Sequence, residues 1–242
     1  MTKDSWDLRV GYEPRLGSIY LAPIPPHHTE PAAHFRLPVS TILRDLKIPP
    51  EALGQQAADA ARPVVDDGRT VEDLMRAAVP ADCTGLTVLD VGGYDGRMAA
   101  LALERGAKEA ICLDNWQYER YGWARPAPLP GVAYETGDVL AWRLPVDVVL
   151  FFNVLYHCQN PWHALAHLRT FCRQEMAICT LVTWTDKPVW ELYRTREVNP
   201  DDDTVYWGPS ESGLTRLLEL TGWQDIEIVG KALERLVLRC RP

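Results

Sequence analysis

The chain has 242 residues, of which 47% are hydrophobic and 24% are charged, a balance that is typical of a globular protein and excludes collagen-like or wholly disordered sequences. Its 25 basic and 33 acidic residues give a formal net charge of −8, so it is a poor general binder of polyanions. Because no run of about 18 apolar residues occurs and the N-terminus lacks the apolar core of a secretory signal, we expect neither a membrane-spanning helix nor secretion.

Residues 1–84 are expected to form an N-terminal extension or lid with short helices. Prolines crowd the stretch from Pro23 to Pro38, which must therefore be loop or extended chain. Thr70 begins a weak form of the capping box, which marks the start of a helix. Short strands are expected over 7–10 and 18–21, and helices over 40–48 and 70–78.

Residues 85–242 are expected to form a single α/β domain, because strands and helices alternate from there on. The strands are almost continuously apolar, which predicts a mostly parallel sheet with helices on both faces. The last two strands lack an intervening helix, so they are expected to pair antiparallel. Strands are predicted over 86–91, 110–113, 132–135, 146–152, 177–183, 226–229 and 235–239, and helices over 98–104, 162–172 and 213–220.

An acidic residue and three glycines follow the first strand of this domain, in the sequence Asp90-Val91-Gly92-Gly93-Tyr94-Asp95-Gly96. Such glycines let a ligand approach the backbone N–H groups at a helix N-terminus. The Asp90 carboxylate would repel a pyrophosphate but attract an ammonium group; alternatively, it only caps the helix. The next strand ends at Asp114, where a carboxylate can bind both hydroxyls of a ribose. S-adenosylmethionine offers an amino group and a ribose without a phosphate, and so fits both carboxylates.

Three further features suit the same ligand. Asp138 follows the third strand, where it can accept a hydrogen bond from an adenine amino group. Trp116 can stack on the adenine, although packing in the core explains this residue nearly as well. Residues 149–156 run from the fourth strand into a polar stretch at the carboxyl edge, where ligands bind in such sheets.

The segments VLDVGGYDG, CLDNW, GDVL and FFNVLYHCQNPWHALAHLR occur in the order typical of class I S-adenosylmethionine-dependent methyltransferases, and residues 85–242 resemble that family. They are most similar to the branch of tRNA wobble-uridine carboxymethyltransferases and their small-molecule relatives, where the middle glycine is often absent, as at Tyr94. The resemblance implies a Rossmann-like sheet whose last strand is antiparallel, with S-adenosyl-L-methionine as donor and S-adenosyl-L-homocysteine as product. The cofactor-binding residues that it implies are Asp90, Gly92, Gly93, Gly96, Asp114, Asn115, Trp116, Asp138, Val139 and Asn153.

The sequence departs from the tRNA enzymes of that branch at one place. Those enzymes carry an arginine-containing segment between the last two strands, whereas only Gly230–Glu234 connects the strands here. A carboxylated S-adenosylmethionine is therefore in doubt, and the ordinary methyl donor is expected.

Methyl transfer is an in-line displacement in which the enzyme positions the reactants and removes a proton where the nucleophile needs it. His157 is the candidate general base, since it follows the fourth strand and an imidazole titrates near neutrality; local packing is the alternative. Tyr156 is a second catalytic candidate that can point into the pocket. No metal is expected, because His163 and His167 share a helix face without a third ligand nearby.

The insertion at 184–208 combines aromatic and arginine side chains, which suit a flat ring that carries a carboxylate or phosphate. A lid that packs on itself explains the tryptophans equally well. The substrate-binding candidates are Trp184, Tyr193, Arg194, Arg196, Tyr206 and Trp207.

We therefore expect a cytoplasmic methyltransferase with six reduced cysteines that methylates oxygen or nitrogen of a small molecule in natural-product biosynthesis. Nucleic acid and membrane are not expected as partners. One alternative is a tRNA-modifying enzyme, which the charge of −8 disfavours. The other is a non-catalytic methyltransferase-like binding protein, against which the intact acidic and glycine positions argue. The acceptor and the oligomeric state stay open.

Overall fold

A computed structural model describes residues 8–13, 18–23, 69–115, 126–183, 185, 187–193, 203–232 and 234–242. The chain divides into two compact units, Met1–Asp66 and Asp67–Pro242. The described part of the first unit is an antiparallel hairpin of two strands, β1 (Leu8–Glu13) and β2 (Ser18–Pro23), where two short strands were predicted. The helix predicted over 40–48 lies outside the described residues.

The described residues of the second unit form a seven-stranded sheet, four helices and a separate pair of short strands. The elements are α1 (Val71–Ala78), β3 (Thr87–Val91), α2 (Arg97–Glu104), β4 (Glu109–Asp114), β5 (Ala133–Thr136), β6 (Val146–Phe152), α3 (Pro161–Phe171), β7 (Cys172–Leu181), β8 (Trp190–Leu192), β9 (Trp207–Pro209), α4 (Glu211–Leu220), β10 (Gln224–Ala232) and β11 (Arg235–Arg241). Two 3₁₀ turns, Val139–Ala141 and Leu155–His157, lie between them.

The strand order in the large sheet is β10-β11-β7-β6-β3-β4-β5. Strands β3 to β7 pair in parallel, while β11 runs antiparallel to both of its neighbours. The predicted Rossmann-like sheet, mostly parallel with its last strand reversed, is confirmed.

Helices cover both faces of the sheet, as the continuous apolar strands predicted. On one face, Leu165 of α3 and Leu214 of α4 join a buried cluster around Phe151. On the other face, Leu74 of α1 and Met98 of α2 pack in a second buried cluster.

The helix α1 belongs to the sheet-containing unit. Its cap is the predicted capping box: the Thr70 hydroxyl accepts from the Asp73 N–H at 3.1 Å, and the Asp73 carboxylate accepts from the Thr70 N–H at 2.8 Å. Its Leu74 packs with Val88 and Val237 of the sheet. The second unit therefore begins at Asp67, whereas the sequence analysis placed the start of the domain at residue 85.

The structure differs from the sequence prediction mainly around β7 and in the insertion. Strand β7 begins at Cys172 rather than at residue 177, directly after α3. Its first residues, among them Arg173 and Gln174, are exposed and polar, so no apolar run marked the start of the strand. Strands β8 and β9 pair antiparallel and were not predicted, because each has only three residues. Within the described part of the chain, no helix has the length and apolar character that crossing a membrane requires.

Candidate active site

The carboxyl ends of the parallel strands meet at one edge of the sheet, which is where ligands bind in open α/β folds. The glycine turn after β3 and the segment after β6 are neighbours there. The Gly92 N–H donates to the Leu113 carbonyl of β4 at 2.7 Å, and a Cβ on Gly92 would overlap the Cγ2 of Val154. The acid-and-glycine motif, the end of β4 and the residues before His157 are thus brought together, as the sequence analysis expected.

Three positions of the turn, Gly92, Gly93 and Gly96, have no space for a side chain. Gly92 and Gly96 have φ angles of +65° and +75°, in the left-handed region that side chains disfavour. A Cβ on Gly96 would lie 2.5 Å from the Tyr134 hydroxyl, and a Cβ on Gly93 would lie 2.6 Å from an Asp90 carboxylate oxygen. Glycine is therefore required here by close packing of the turn against Val154, Asp90 and Tyr134.

The Asp90 carboxylate lies beneath the turn and is only 2% exposed. It accepts a hydrogen bond from the Ala99 N–H at 3.2 Å, so it stabilises the first turn of α2. Burial raises the pKa of the Asp90 carboxyl to about 7, the Ala99 N–H opposes this rise, and the charges of Asp95 and Asp114 add to it. This geometry supports the capping alternative for Asp90.

The Asp114 carboxylate ends β4 and is 3% exposed. One of its oxygens accepts from the Tyr94 N–H of the glycine turn at 3.1 Å. A carboxylate can accept about four hydrogen bonds, and ribose hydroxyls are donors that suit it. Asn115 follows and is exposed, whereas Trp116 lies outside the described residues.

Asp138 and Val139 lie beside the end of β4, because the Gly137 N–H donates to the Asp114 carbonyl at 3.0 Å. The Asp138 carboxylate accepts from the Leu140 N–H at 2.9 Å and so caps the 3₁₀ turn. The Val139 side chain is buried in the core. Asp138 is exposed, which keeps its carboxylate accessible to a ligand.

Asn153 has a left-handed backbone, with φ at +59°, at the end of β6. Its side-chain oxygen accepts from the Arg235 Nε at 3.1 Å, and its amide nitrogen lies 3.5 Å from the Met75 sulfur of α1. The Arg235 guanidinium carbon lies 5.2 Å from the centre of the Tyr156 ring, a cation–π arrangement. An arginine thus lies at this edge of the sheet although the connection between the last two strands is short.

The sequence analysis missed Arg235, since it looked for an arginine only within the connection. Arg235 is the first residue of β11 and pairs with Leu181 at the carboxyl end of β7. This placement depends on strand pairing across the sheet, which no local sequence signal shows.

The two catalytic candidates follow β6 in the turn Leu155–His157. Tyr156 is 7% exposed and packs with Leu181 and Val205, with its ring centroid 4.3 Å from that of His157. His157 is half-buried, and its Nδ1 lies 3.0 Å from the Thr204 carbonyl oxygen. The Tyr156 ring is therefore largely buried next to Arg235, while the His157 imidazole retains some exposure.

The substrate-binding candidates separate into three groups. Backbone hydrogen bonds join Tyr193 to Tyr206 at 3.0 Å and Tyr206 to Tyr156 at 2.9 Å, which brings both tyrosines to the catalytic turn. Trp207 instead donates from its indole nitrogen to the Cys158 carbonyl at 2.9 Å and lines an apolar groove of about 350 Å³ with Trp162. Trp184, Arg194 and Arg196 lie outside the described residues.

Among the residues that the structure describes, no group of three or more potential ligands is placed to hold a metal ion. The His163 and His167 rings stack with centroids 6.3 Å apart, and His167 Nε2 lies 3.0 Å from the Trp142 carbonyl oxygen.

A family model described as a methyltransferase domain matches residues 65–228, well over half of the chain, and the chain belongs to this family. Two relatives are named tRNA U34 carboxymethyltransferase. The one from Chromohalobacter salexigens is 28% identical over 165 residues, which are 61% of this chain and 47% of the relative. The one from Dichelobacter nodosus is 30% identical over 165 residues, 64% of this chain and 50% of the relative. The chain thus aligns with about half the length of both.

A solved S-adenosylmethionine-dependent methyltransferase from Mesorhizobium loti has the same fold, with a TM-score of 0.55 and 17% identity over 73% of this chain and 99% of that one. The protein is a class I S-adenosylmethionine-dependent methyltransferase, and S-adenosylmethionine is its cofactor. In this site, the Asp114 carboxylate at the end of β4 is the group whose chemistry suits the ribose hydroxyls of that donor.

Proposed function

We propose that the protein transfers a methyl group from S-adenosylmethionine to an oxygen or nitrogen atom of a small molecule, in natural-product biosynthesis in the cytoplasm. The observation that supports this proposal is the close packing of the glycine turn on Val154, which lies three residues before His157. A small acceptor is supported by the charge of −8, which disfavours a polyanionic one. Six unpaired thiols are compatible with the cytoplasm.

Each part of the site has a distinct role in this proposal. S-adenosylmethionine supplies an electrophilic methyl group on a sulfonium. The glycine turn would accommodate its methionine portion, Asp114 its ribose hydroxyls and Asp138 its adenine amino group. His157 would take the proton from the acceptor hydroxyl or amine at the moment when that atom becomes nucleophilic. Tyr193 and Tyr206 would contact the acceptor from the insertion.

The test uses the full chain with S-adenosylmethionine that is isotopically labelled in its methyl group. Label should enter a member of a library of hydroxylated and amino metabolites, and His157→Gln should lower that turnover by about 10²–10⁴ while donor affinity stays nearly unchanged. Label that enters only tRNA would overturn the small-molecule proposal. Donor binding without transfer of label to the metabolite library or to tRNA would support a non-catalytic binding protein.

Arg235 favours a second candidate, transfer of a carboxymethyl group to tRNA, which is the activity named for the two relatives. Within the described part of the chain, no carboxylate forms an ion pair with Arg235. A guanidinium next to a cationic sulfonium is unfavourable unless an anion lies between them. A carboxylate on the transferred group would supply that anion and pair with Arg235.

Competition binding with ordinary and carboxylated S-adenosylmethionine distinguishes the two candidates. If the carboxymethyl candidate holds, Arg235→Gln should weaken binding of the carboxylated donor by about 10–150-fold and leave the ordinary donor nearly unaffected. Arg239→Gln is the matched control, since Arg239 lies on the same strand but pairs with Glu227 at 2.8 Å. Wild-type preference for the ordinary donor would instead favour methyl transfer.

A further inference from the structure

The His157 imidazole has a partner that fixes which of its nitrogens carries the proton. Its Nδ1 lies 3.0 Å from the Thr204 carbonyl oxygen and 2.8 Å from the Thr204 hydroxyl oxygen. A carbonyl oxygen can only accept hydrogen bonds, so an unprotonated Nδ1 at this distance would set two lone pairs against each other. Nδ1 therefore donates, and the neutral ring has its lone pair on Nε2.

The segment that contains Thr204 is hydrogen-bonded to the two residues that flank His157 in the chain. The Tyr206 N–H donates to the Tyr156 carbonyl at 2.9 Å, and the Trp207 indole N–H donates to the Cys158 carbonyl at 2.9 Å. Val205, which lies between Thr204 and Tyr206 in the chain, is 6% exposed and packs with Tyr156. The segment that follows the insertion is thus attached to the residues that flank His157, and its position determines where the Thr204 oxygens lie.

We propose that Thr204 is a positioning residue that holds His157 in the tautomer with an unprotonated Nε2, the form that can accept a proton from the acceptor. Use of that Nε2 as a base rests on the proposed function, whereas the tautomer itself does not. When Nε2 takes the proton, the ring becomes an imidazolium, and its Nδ1–H stays hydrogen-bonded to the Thr204 oxygens. Those hydrogen bonds then become charge-assisted and stabilise the cation. The proton later leaves Nε2 to solvent, and the neutral tautomer is restored.

The experiment is NMR of the full-length protein labelled with ¹⁵N-histidine, with His157→Gln used to assign the His157 signals. In the neutral form, the wild-type ring should carry its proton on Nδ1. Thr204→Val keeps the shape of the side chain but removes one acceptor, so the pKa of the His157 imidazolium should fall by about one unit, a tenfold change in proton affinity. Thr204→Ser keeps the hydroxyl and should behave like the wild type.

A neutral wild-type ring that is protonated on Nε2 would overturn the proposal, whether or not any variant folds. A pKa that is the same in wild type and folded Thr204→Val would also overturn it. Neither measurement needs a substrate that accepts the methyl group. Failure of the proposed function would appear in a different measurement, as unchanged turnover in His157→Gln. If His157 is the base, the pH profile of kcat should shift in Thr204→Val in the same direction as the NMR pKa.

Discussion

At the scale of single residues, Asp114 joins the glycine turn to the end of β4 and is the candidate ribose ligand. In Asp114→Asn the side chain can still accept from the Tyr94 N–H, so the turn should keep its position. The variant loses the negative charge, and each charge-assisted hydrogen bond is worth about 1.5–3 kcal/mol. We expect affinity for S-adenosylmethionine to fall by about 10–150-fold, as measured by calorimetry.

The control for this variant is Asp82→Asn. Like Asp114, the Asp82 carboxylate accepts from a backbone N–H, that of Thr84 at 2.9 Å, but Asp82 precedes β3 and so lies away from the carboxyl ends of the strands. Its substitution should leave donor affinity unchanged. Equal affinities in Asp114→Asn and wild type would rule out the ribose role of Asp114.

Asp90 makes the stability of the protein depend on pH. Burial raises the pKa of its carboxyl from 3.8 to about 7, so between these values the folded protein holds a proton that the unfolded chain has lost. The resulting stabilisation is fully present below about pH 4 and is lost as the pH rises towards 7. The slope is about 1.4 kcal/mol per pH unit, which limits the total loss to about 4 kcal/mol.

Asp90→Asn tests this pH dependence, because an amide does not ionise and its oxygen can still accept from the Ala99 N–H. Urea unfolding of both proteins should show a difference that changes steadily from about pH 4 to pH 7, with the variant relatively more stable at the higher pH. Parallel stability curves would show that the Asp90 pKa is close to its unfolded value.

At the scale of elements, a comparison of Gly96 in the glycine turn with Gly85 before β3 separates backbone strain from steric overlap. Gly85 and Gly96 have almost the same φ, +76° and +75°, so alanine at either position meets a similar backbone penalty of about 1–2 kcal/mol. A Cβ on Gly85 meets nothing within 4 Å, whereas one on Gly96 lies 2.5 Å from the Tyr134 hydroxyl. That hydroxyl donates to the Asp95 carbonyl and accepts from the Leu129 N–H, both at 2.9 Å.

We therefore expect Gly96→Ala to lose about 1–3 kcal/mol more stability than Gly85→Ala, and to bind S-adenosylmethionine more weakly. Chemical unfolding and calorimetry measure the two effects. Combining Gly96→Ala with Tyr134→Phe removes the overlapping oxygen and should recover part of the stability. If the two alanine variants are equally stable, the turn has moved away from Tyr134 without cost.

Elements that a local pattern specifies were predicted well from the sequence. The bounds of β6, Val146–Phe152, coincide with the predicted ones, because a strand buried on both faces needs apolar side chains and all of its residues except Asp147 are apolar. Thr70 and Asp73 form the capping box that their spacing indicated. The type and order of the elements, and hence the fold, follow from such signals.

Contacts between distant parts of the chain could not be predicted in this way. Thr204 reaches His157 across 47 positions, and Arg235 reaches Asn153 across 82. Strand pairing and the course of the insertion produce these contacts, and neither leaves a periodic pattern in the sequence. Asp90 shows the same limit: its place before the glycines suggested either a ligand contact or a helix cap, and neither its burial nor its contact with the Ala99 N–H could be predicted from that place.

At the scale of the whole molecule, the division of the chain predicts that residues Asp67–Pro242 fold without the first unit. The described members of both buried clusters that hold the sheet and helices together run from Leu74 to Cys240, so the shortened chain retains all of them. We expect it to unfold cooperatively and to bind S-adenosylmethionine within a few-fold of the full chain, as measured by urea unfolding and calorimetry. If the shortened chain binds the donor normally but no longer methylates the acceptor, then acceptor recognition requires residues 1–66, as expected of a lid. Aggregation or lost donor binding in the shortened chain would show that the second unit needs the first to fold, and the boundary at Asp67 would then have no thermodynamic meaning.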